Sequence, residues 1–190
     1  MTDMKRGPIS ARQLVGALLL ATLATSSAGN ARAMEMIPSL GMTKSTDTNA
    51  GNASGFGGLA LRTSLLPFLK LEGGIGYRQD SFANGDLKVR QWPLTASVWL
   101  TPLPMAYAGG GVGWYKTTLD YRNNLIVKDS TTQKLGVHLG GGVDLPLGPK
   151  LGLDLNGRYI FMQKDNSTLS VPTSFNPDFW TLALGLAIKF

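Results

Sequence analysis

The segment from Trp180 to Phe190 alternates strictly. Trp180, Leu182, Leu184, Leu186, Ile188 and Phe190 share one parity, and Thr181, Ala183, Gly185, Ala187 and Lys189 share the other. An extended strand sends successive side chains to opposite faces, so this period of two predicts a strand with one wholly apolar face. The pattern recurs at Leu151–Met162, Leu135–Leu145, Leu69–Arg78 and Trp92–Leu100, and in a weaker, glycine-rich form at Ala106–Trp114. Gly55–Thr63 and Met36–Thr46 bring the expected strands to eight. Beyond residue 33 there is neither a helical period of useful length nor an apolar run of about 18 residues.

Large apolar groups on one face of nearly every strand, with small or polar groups on the other, suit a barrel with lipid outside and a polar interior. Such a sheet must close, because an open edge in lipid leaves backbone groups without partners. The connections alternate in length. Short turns are expected near Ser64–Pro67, Thr101–Leu103 and Pro146–Pro149. Longer polar segments are expected at Asp47–Ala53, Ser81–Asp86, Thr117–Thr131 and Lys164–Asp178. The fold class read from this is all-β: an eight-stranded antiparallel transmembrane β-barrel, up-and-down, with both termini periplasmic and the longer loops outside. On the outward parity, Tyr77, Trp92, Trp114, Tyr159 and Trp180 all fall near the long-loop ends of their strands. They form the expected aromatic girdle of one interface. Phe190 and Phe68 would mark the other.

The first 33 residues read as a cleaved secretory signal peptide. Lys5, Arg6 and Arg12 precede an apolar stretch, Leu14–Ala24, and Ala31-Arg32-Ala33 fits a small-x-small cleavage site. Eleven apolar residues extend only about 16 Å as a helix, short of a hydrocarbon core of roughly 30 Å. Residues 34–190 would then be the barrel domain, multi-pass in the bacterial outer membrane. The formal net charge of +6 falls to +3 over that domain, with no basic run, so no nucleic-acid partner is expected. Cysteine is absent, which excludes disulfides and thiolate chemistry.

Arg62, Lys70, Glu72, Arg78, His138, Asp144, Asp154, Arg158 and Lys189 all carry the inward parity. Mixed charges in a narrow interior should pair, so they read as a polar network plugging the lumen. A water-filled or ligand-binding passage is the alternative. Inward glycines at 109, 111, 113, 136, 140 and 142 fit either room for larger neighbours or a narrow cavity. His138 is the single histidine. With no second His, no Cys and no triad spacing, it reads as a hydrogen-bonded interior residue. No catalytic or metal residue and no cofactor is expected.

The leader, the eight strands and the closing segment LALGLAIKF resemble the small outer-membrane barrels of the OmpA and OmpX type. Segments such as Tyr107–Tyr115 and Leu71–Tyr77 are also similar to strands of that group. The resemblance implies that Leu184, Leu186, Ile188 and Phe190 form a C-terminal signal read by the barrel assembly machinery, with periplasmic chaperones as partners during biogenesis. Outer-membrane lipids, including lipopolysaccharide, would surround a monomer. The chain departs from full-length OmpA in ending on its last strand. It departs from the lipid A deacylase type because Leu139 and Gly140 follow His138, without the Ser expected two positions on. The resemblance implies no single activity. A non-enzymatic structural or surface-interaction barrel leads, a narrow porin-like channel is second, and a lipid-modifying enzyme has the least support.

Overall fold

The computed structural model describes residues 34–47, 52–82, 87–121, 130–163 and 177–190. The expected signal peptide, with its cleavage site, and most of the longer loops lie outside the described residues. The strands are β1 (Met34–Ser45), β2 (Ser54–Leu66), β3 (Leu69–Phe82), β4 (Leu87–Leu100), β5 (Ala106–Tyr121), β6 (Ser130–Pro146), β7 (Leu151–Met162) and β8 (Phe179–Lys189). Each pairs antiparallel with the next, and β1 pairs with β8 to close the barrel. The weak first strand is genuine: Met34–Thr43 lie in continuous register with β2, and Glu35–Ser45 face β8.

The outward parity carries the large apolar side chains. Leu40, Ile75, Trp92, Leu139, Leu184 and Phe161 are all exposed. A chain that turned these to water would forgo most of its hydrophobic stabilisation. On β7 the apolar column runs from Leu151 to Phe161. Ten residue steps along a tilted strand give a band about 25 Å tall, the height of a hydrocarbon core. Tyr77, Trp92, Trp114, Tyr159 and Trp180 all face outward at its loop end. Tyr77 packs against Trp92 in a tilted arrangement, with ring centroids 4.8 Å apart. Phe68 and Phe190 stand exposed at the other end.

Several expected boundaries need correction. β3 runs on to Phe82, β4 begins at Leu87 rather than Trp92, β5 runs to Tyr121 rather than Trp114, and β6 begins at Ser130 rather than Leu135. Ser81–Asp86 is therefore not one of the longer segments, since only residues 83–86 separate β3 from β4. At the opposite end, β2 continues to Leu66, so the expected turn at Ser64–Pro67 narrows to Pro67 and Phe68. The physical reason is common to the loop-end cases. Apolar alternation stops where the lipid stops, whereas the backbone ladder continues into water, where outward residues need not be apolar.

Candidate functional site

The lumen is filled by side chains in layers. At its centre, Arg62 on β2 stands directly beside Glu72 on β3. Its Nε donates to Glu72 Oε2 at 2.9 Å, and its Nη1 reaches across the barrel to Asp154 Oδ2 on β7 at 2.7 Å. Its Nη2 donates to Tyr107 Oη at 3.1 Å, and its guanidinium lies 4.5 Å over the Tyr107 ring. Glu72 also accepts from Arg158 Nη2 at 2.6 Å, so one carboxylate serves two guanidiniums. Tyr107 Oη donates to Asp154 and accepts from Asn156 Nδ2 at 2.9 Å. Arg158 Nε donates to Asn156 Oδ1 at 2.7 Å. Arg62 is only 1% exposed and Glu72 4%. Charges this deep persist only when paired and hydrogen-bonded, as these are.

Nearer the end that holds the termini lies a second layer. Asp144 stands directly opposite Asp154 across β6 and β7, a like-charge pair that would repel if left alone. The two are drawn to different cations. Asp154 holds Arg62, while Asp144 holds Lys70 at 3.5 Å and Lys189 at 4.0 Å. Glu35 completes the ring, 3.7 Å from Lys70 and 3.9 Å from Lys189. Toward the loop end, Arg78 lies 3.4 Å over the Phe179 ring and donates to Thr43 Oγ1 at 3.1 Å. Tyr115 meets Phe179 edge-on, centroids 5.9 Å apart.

All nine residues expected to form the interior network thus point inward, but in separate layers. Arg62, Glu72, Asp154 and Arg158 meet directly. Lys70, Asp144 and Lys189 form the ring below them, Arg78 sits above, and His138 stands beside them. The alternation put Asn156 on the inward face of its strand but left unnamed the other residues that complete the packing: Glu35, Trp99, Tyr107, Tyr115 and Phe179. Trp99 is fully buried, its ring 5.3 Å from Tyr107 and 5.1 Å from the Arg158 guanidinium. Parity could have found it. Trp99 is seven residues from outward Trp92, and an odd separation along a strand means opposite faces. Tyr107 and Trp114 stand in the same relation.

Tyr107 and Tyr115 also account for Gly113, Gly136 and Gly142, whereas a Cβ at Gly109, Gly111 or Gly140 would first meet the backbone of the neighbouring strand. A Cβ at Gly142 would lie 2.6 Å from the Tyr107 ring, and one at Gly136 2.9 Å from the Tyr115 ring. These glycines make room for larger neighbours. A cavity remains against the opposite wall, where Gly58, Ala60, Gly74, Gly76 and Thr95 are small. It measures about 70 Å³, and Arg62, Glu72, Asp154 and Arg158 are among its lining. None of the lower ring's residues lines it, so it lies on the loop side of the central ion pairs and ends at them.

His138 is fully buried, and its Nε2 shares a 2.9 Å hydrogen bond with Ser97 Oγ. The pair has the composition of a nucleophile and a base. A hydrolytic arrangement also needs a third group to orient the imidazole. Nδ1 has no hydrogen-bond partner among the described residues. Among those residues no group of three or more His, Asp or Glu is arranged to hold a metal ion.

Solved structures with similar folds are small outer-membrane barrels. Neisserial surface protein A (NspA) is 18% identical, with 83% of this chain and 99% of that one covered and a TM-score of 0.66. Ail, the attachment invasion locus protein of Yersinia pestis, is 13% identical over 84% of this chain and 99% of that one, at 0.56. OprG, an outer membrane protein of Pseudomonas aeruginosa, is 14% identical over 84% and 96%, at 0.56. No curated protein sequence matches significantly. The model of the outer membrane protein beta-barrel domain matches residues 14–190, and with the closed eight-stranded barrel already described, the chain belongs to that family.

Proposed function

We propose that this protein is a small integral outer-membrane barrel with a closed lumen, acting non-enzymatically in a structural or surface-interaction role. The observation that carries this reading is Arg62. It spans the interior from Glu72 on one wall to Asp154 and Tyr107 on the other, with Glu72 held again by Arg158. A continuous path would have to part these buried ion pairs. The surface left for interaction is the loop end. The short-turn end faces the periplasm in this reading. Met34 and Phe190 meet there through two backbone hydrogen bonds, from Met34 N to Phe190 O at 3.3 Å and from Phe190 N to Met34 O at 3.0 Å. Export by a cleaved leader and recognition of Leu184, Leu186, Ile188 and Phe190 by the assembly machinery belong to the same reading.

The cavity above the central ion pairs favours one second reading, a narrow channel for small solutes. Planar-bilayer recordings on the refolded protein separate the two. The plugged barrel is expected to give no stable discrete openings. Reproducible unitary currents would sink it in favour of the channel.

A further inference from the structure

The barrel wall beside the cavity is interrupted. Between β3 and β4 the ladder is unbroken from Leu69 opposite Leu100 to Ile75 opposite Leu94, and it resumes with Arg78 opposite Gln91. Between these points Gly76 and Tyr77 do not pair with Pro93 and Trp92. The cause is local. Thr101 N donates to Phe68 O at 2.9 Å, and hydrogen-bonded positions recur at every second residue of an antiparallel pair. Counting by twos from there puts Gly76 and Pro93 at such a position, where proline has no N–H to give. Both residues line the cavity. Gly76 has no side chain to shut the gap from within, and outside it the Tyr77 and Trp92 rings pack together at the level of the belt. A second proline, Pro38, interrupts the β1–β8 ladder between Met36 and Ser39. There the inner side is filled: a Cβ at Gly185 would lie 2.7 Å from Ile37 Cγ2. The β3–β4 gap is therefore the thinner of the two walls.

The cavity is charged at its floor and largely apolar along its sides, where Ile37, Phe56, Ile160 and Phe179 line it. On the floor, Glu72 and Asp154 are already held by guanidiniums. Arg158 gives its Nε to Asn156 and its Nη2 to Glu72, and its Nη1 has no hydrogen-bond partner among the described residues. Its side chain is 18% exposed. A guanidinium with donors to spare, at the foot of apolar walls, is complementary to a carboxylate that carries an apolar tail. Size limits how much of such a molecule fits. At about 10–15 Å³ for each water-sized group, a cavity of about 70 Å³ seats the carboxylate and a few methylenes. The rest of a longer chain has to leave the lumen, and the β3–β4 gap leads from the same cavity to the lipid. We infer that the cavity binds a single-chain carboxylate amphiphile, a fatty acid, taken from the bilayer through the gap at Gly76 and Pro93. This goes beyond the structural role proposed above and holds whether or not the central ion pairs part.

The test uses the folded protein in nonionic detergent micelles, with decanoate as the probe and native mass spectrometry to count it. One decanoate is expected per chain, bound at least about tenfold more tightly than decyltrimethylammonium, which has the same tail and the opposite charge. Arg158→Gln should lose about tenfold of that affinity, and Lys44→Gln none. Entry is read from the exchange of bound decanoate for its deuterated form. Pro93→Val restores the missing N–H and should slow exchange by about tenfold or more. A Tyr77→Cys, Trp92→Cys pair, in a chain with no other cysteine, should do the same when oxidised and recover when reduced. A cooperative urea transition shows that each variant is folded. Equal binding of the cationic amphiphile, undiminished binding by Arg158→Gln, or exchange that neither closure slows would overturn the inference.

Discussion

Replacing Glu72 with Gln removes one negative charge from the centre of the plug and almost no volume. Two guanidiniums lose their shared counter-ion. Arg62 keeps Asp154 at 2.7 Å, whereas Arg158 pairs with no other carboxylate among the described residues and keeps the neutral oxygen of Asn156. Breaking a buried ion pair from one side typically costs about 3–5 kcal/mol. The Gln oxygen still accepts one hydrogen bond, and the Arg158 side chain is 18% exposed, so the lower end applies, about 3 kcal/mol. With a urea slope of about 2 kcal/mol per molar, the unfolding midpoint in lipid vesicles should fall by about 1.5 M. Tryptophan fluorescence reads the transition. Combining Glu72→Gln with Arg158→Gln should recover part of the loss, because the second change removes the stranded charge. A midpoint unchanged within error, with no recovery in the double variant, would show that these ion pairs do not hold the barrel together. Channel activity gained by a variant of undiminished stability would say that Glu72 gates a passage.

Two further perturbations probe other layers. Gly142→Val places atoms both where Tyr107 stands and against the backbone of β7, since even a Cβ would lie 2.5 Å from Tyr107 Oη and closer still to the Leu155 carbonyl oxygen, so removing Tyr107 relieves only part of the clash. The valine should destabilise by about 1–3 kcal/mol, and Tyr107→Ala in the same chain should cost less than the two changes summed, as a double-mutant cycle in urea will show. Leu184→Arg puts a charge near mid-height of the lipid face and should cost about 2–4 kcal/mol, against about 0–1 kcal/mol for Ile188→Arg near the interface. Equal costs at the two positions would contradict the assigned band.

The architecture was legible in the sequence because lipid imposes a rule on each residue separately. Leu182, Leu184 and Leu186 declare their face without knowledge of their neighbours, and eight such rows require a closed sheet. The direction of Arg62, Glu72 and Asp154 followed from the same parity. Their partnership did not, because it depends on register across several hairpins. Asp144 opposite Asp154 is a fact of β6–β7 pairing, and nothing local to either residue assigns one to Lys70 and the other to Arg62. Glu35 was missed because the first strand was started at Met36. Strand ends beyond the membrane were missed for the opposite reason, since Leu119 and Thr131 sit where hydropathy no longer constrains the ladder. Gly113, Gly136 and Gly142 stayed ambiguous until Tyr107 and Tyr115 were seen to fill the space they leave.

The seam between β1 and β8 carries a consequence for timing. Its partners are distant in the chain: Thr43 Oγ1 donates to the carbonyl of Trp180, 137 residues away. Until they meet, both strands are open edges, each with a row of unanswered N–H and C=O groups. Water answers such groups and hydrocarbon does not. The chain therefore cannot enter the bilayer strand by strand and find its seam afterwards. Closure and insertion have to coincide, and an unfinished barrel belongs at the membrane surface or against a protein that lends it a temporary edge.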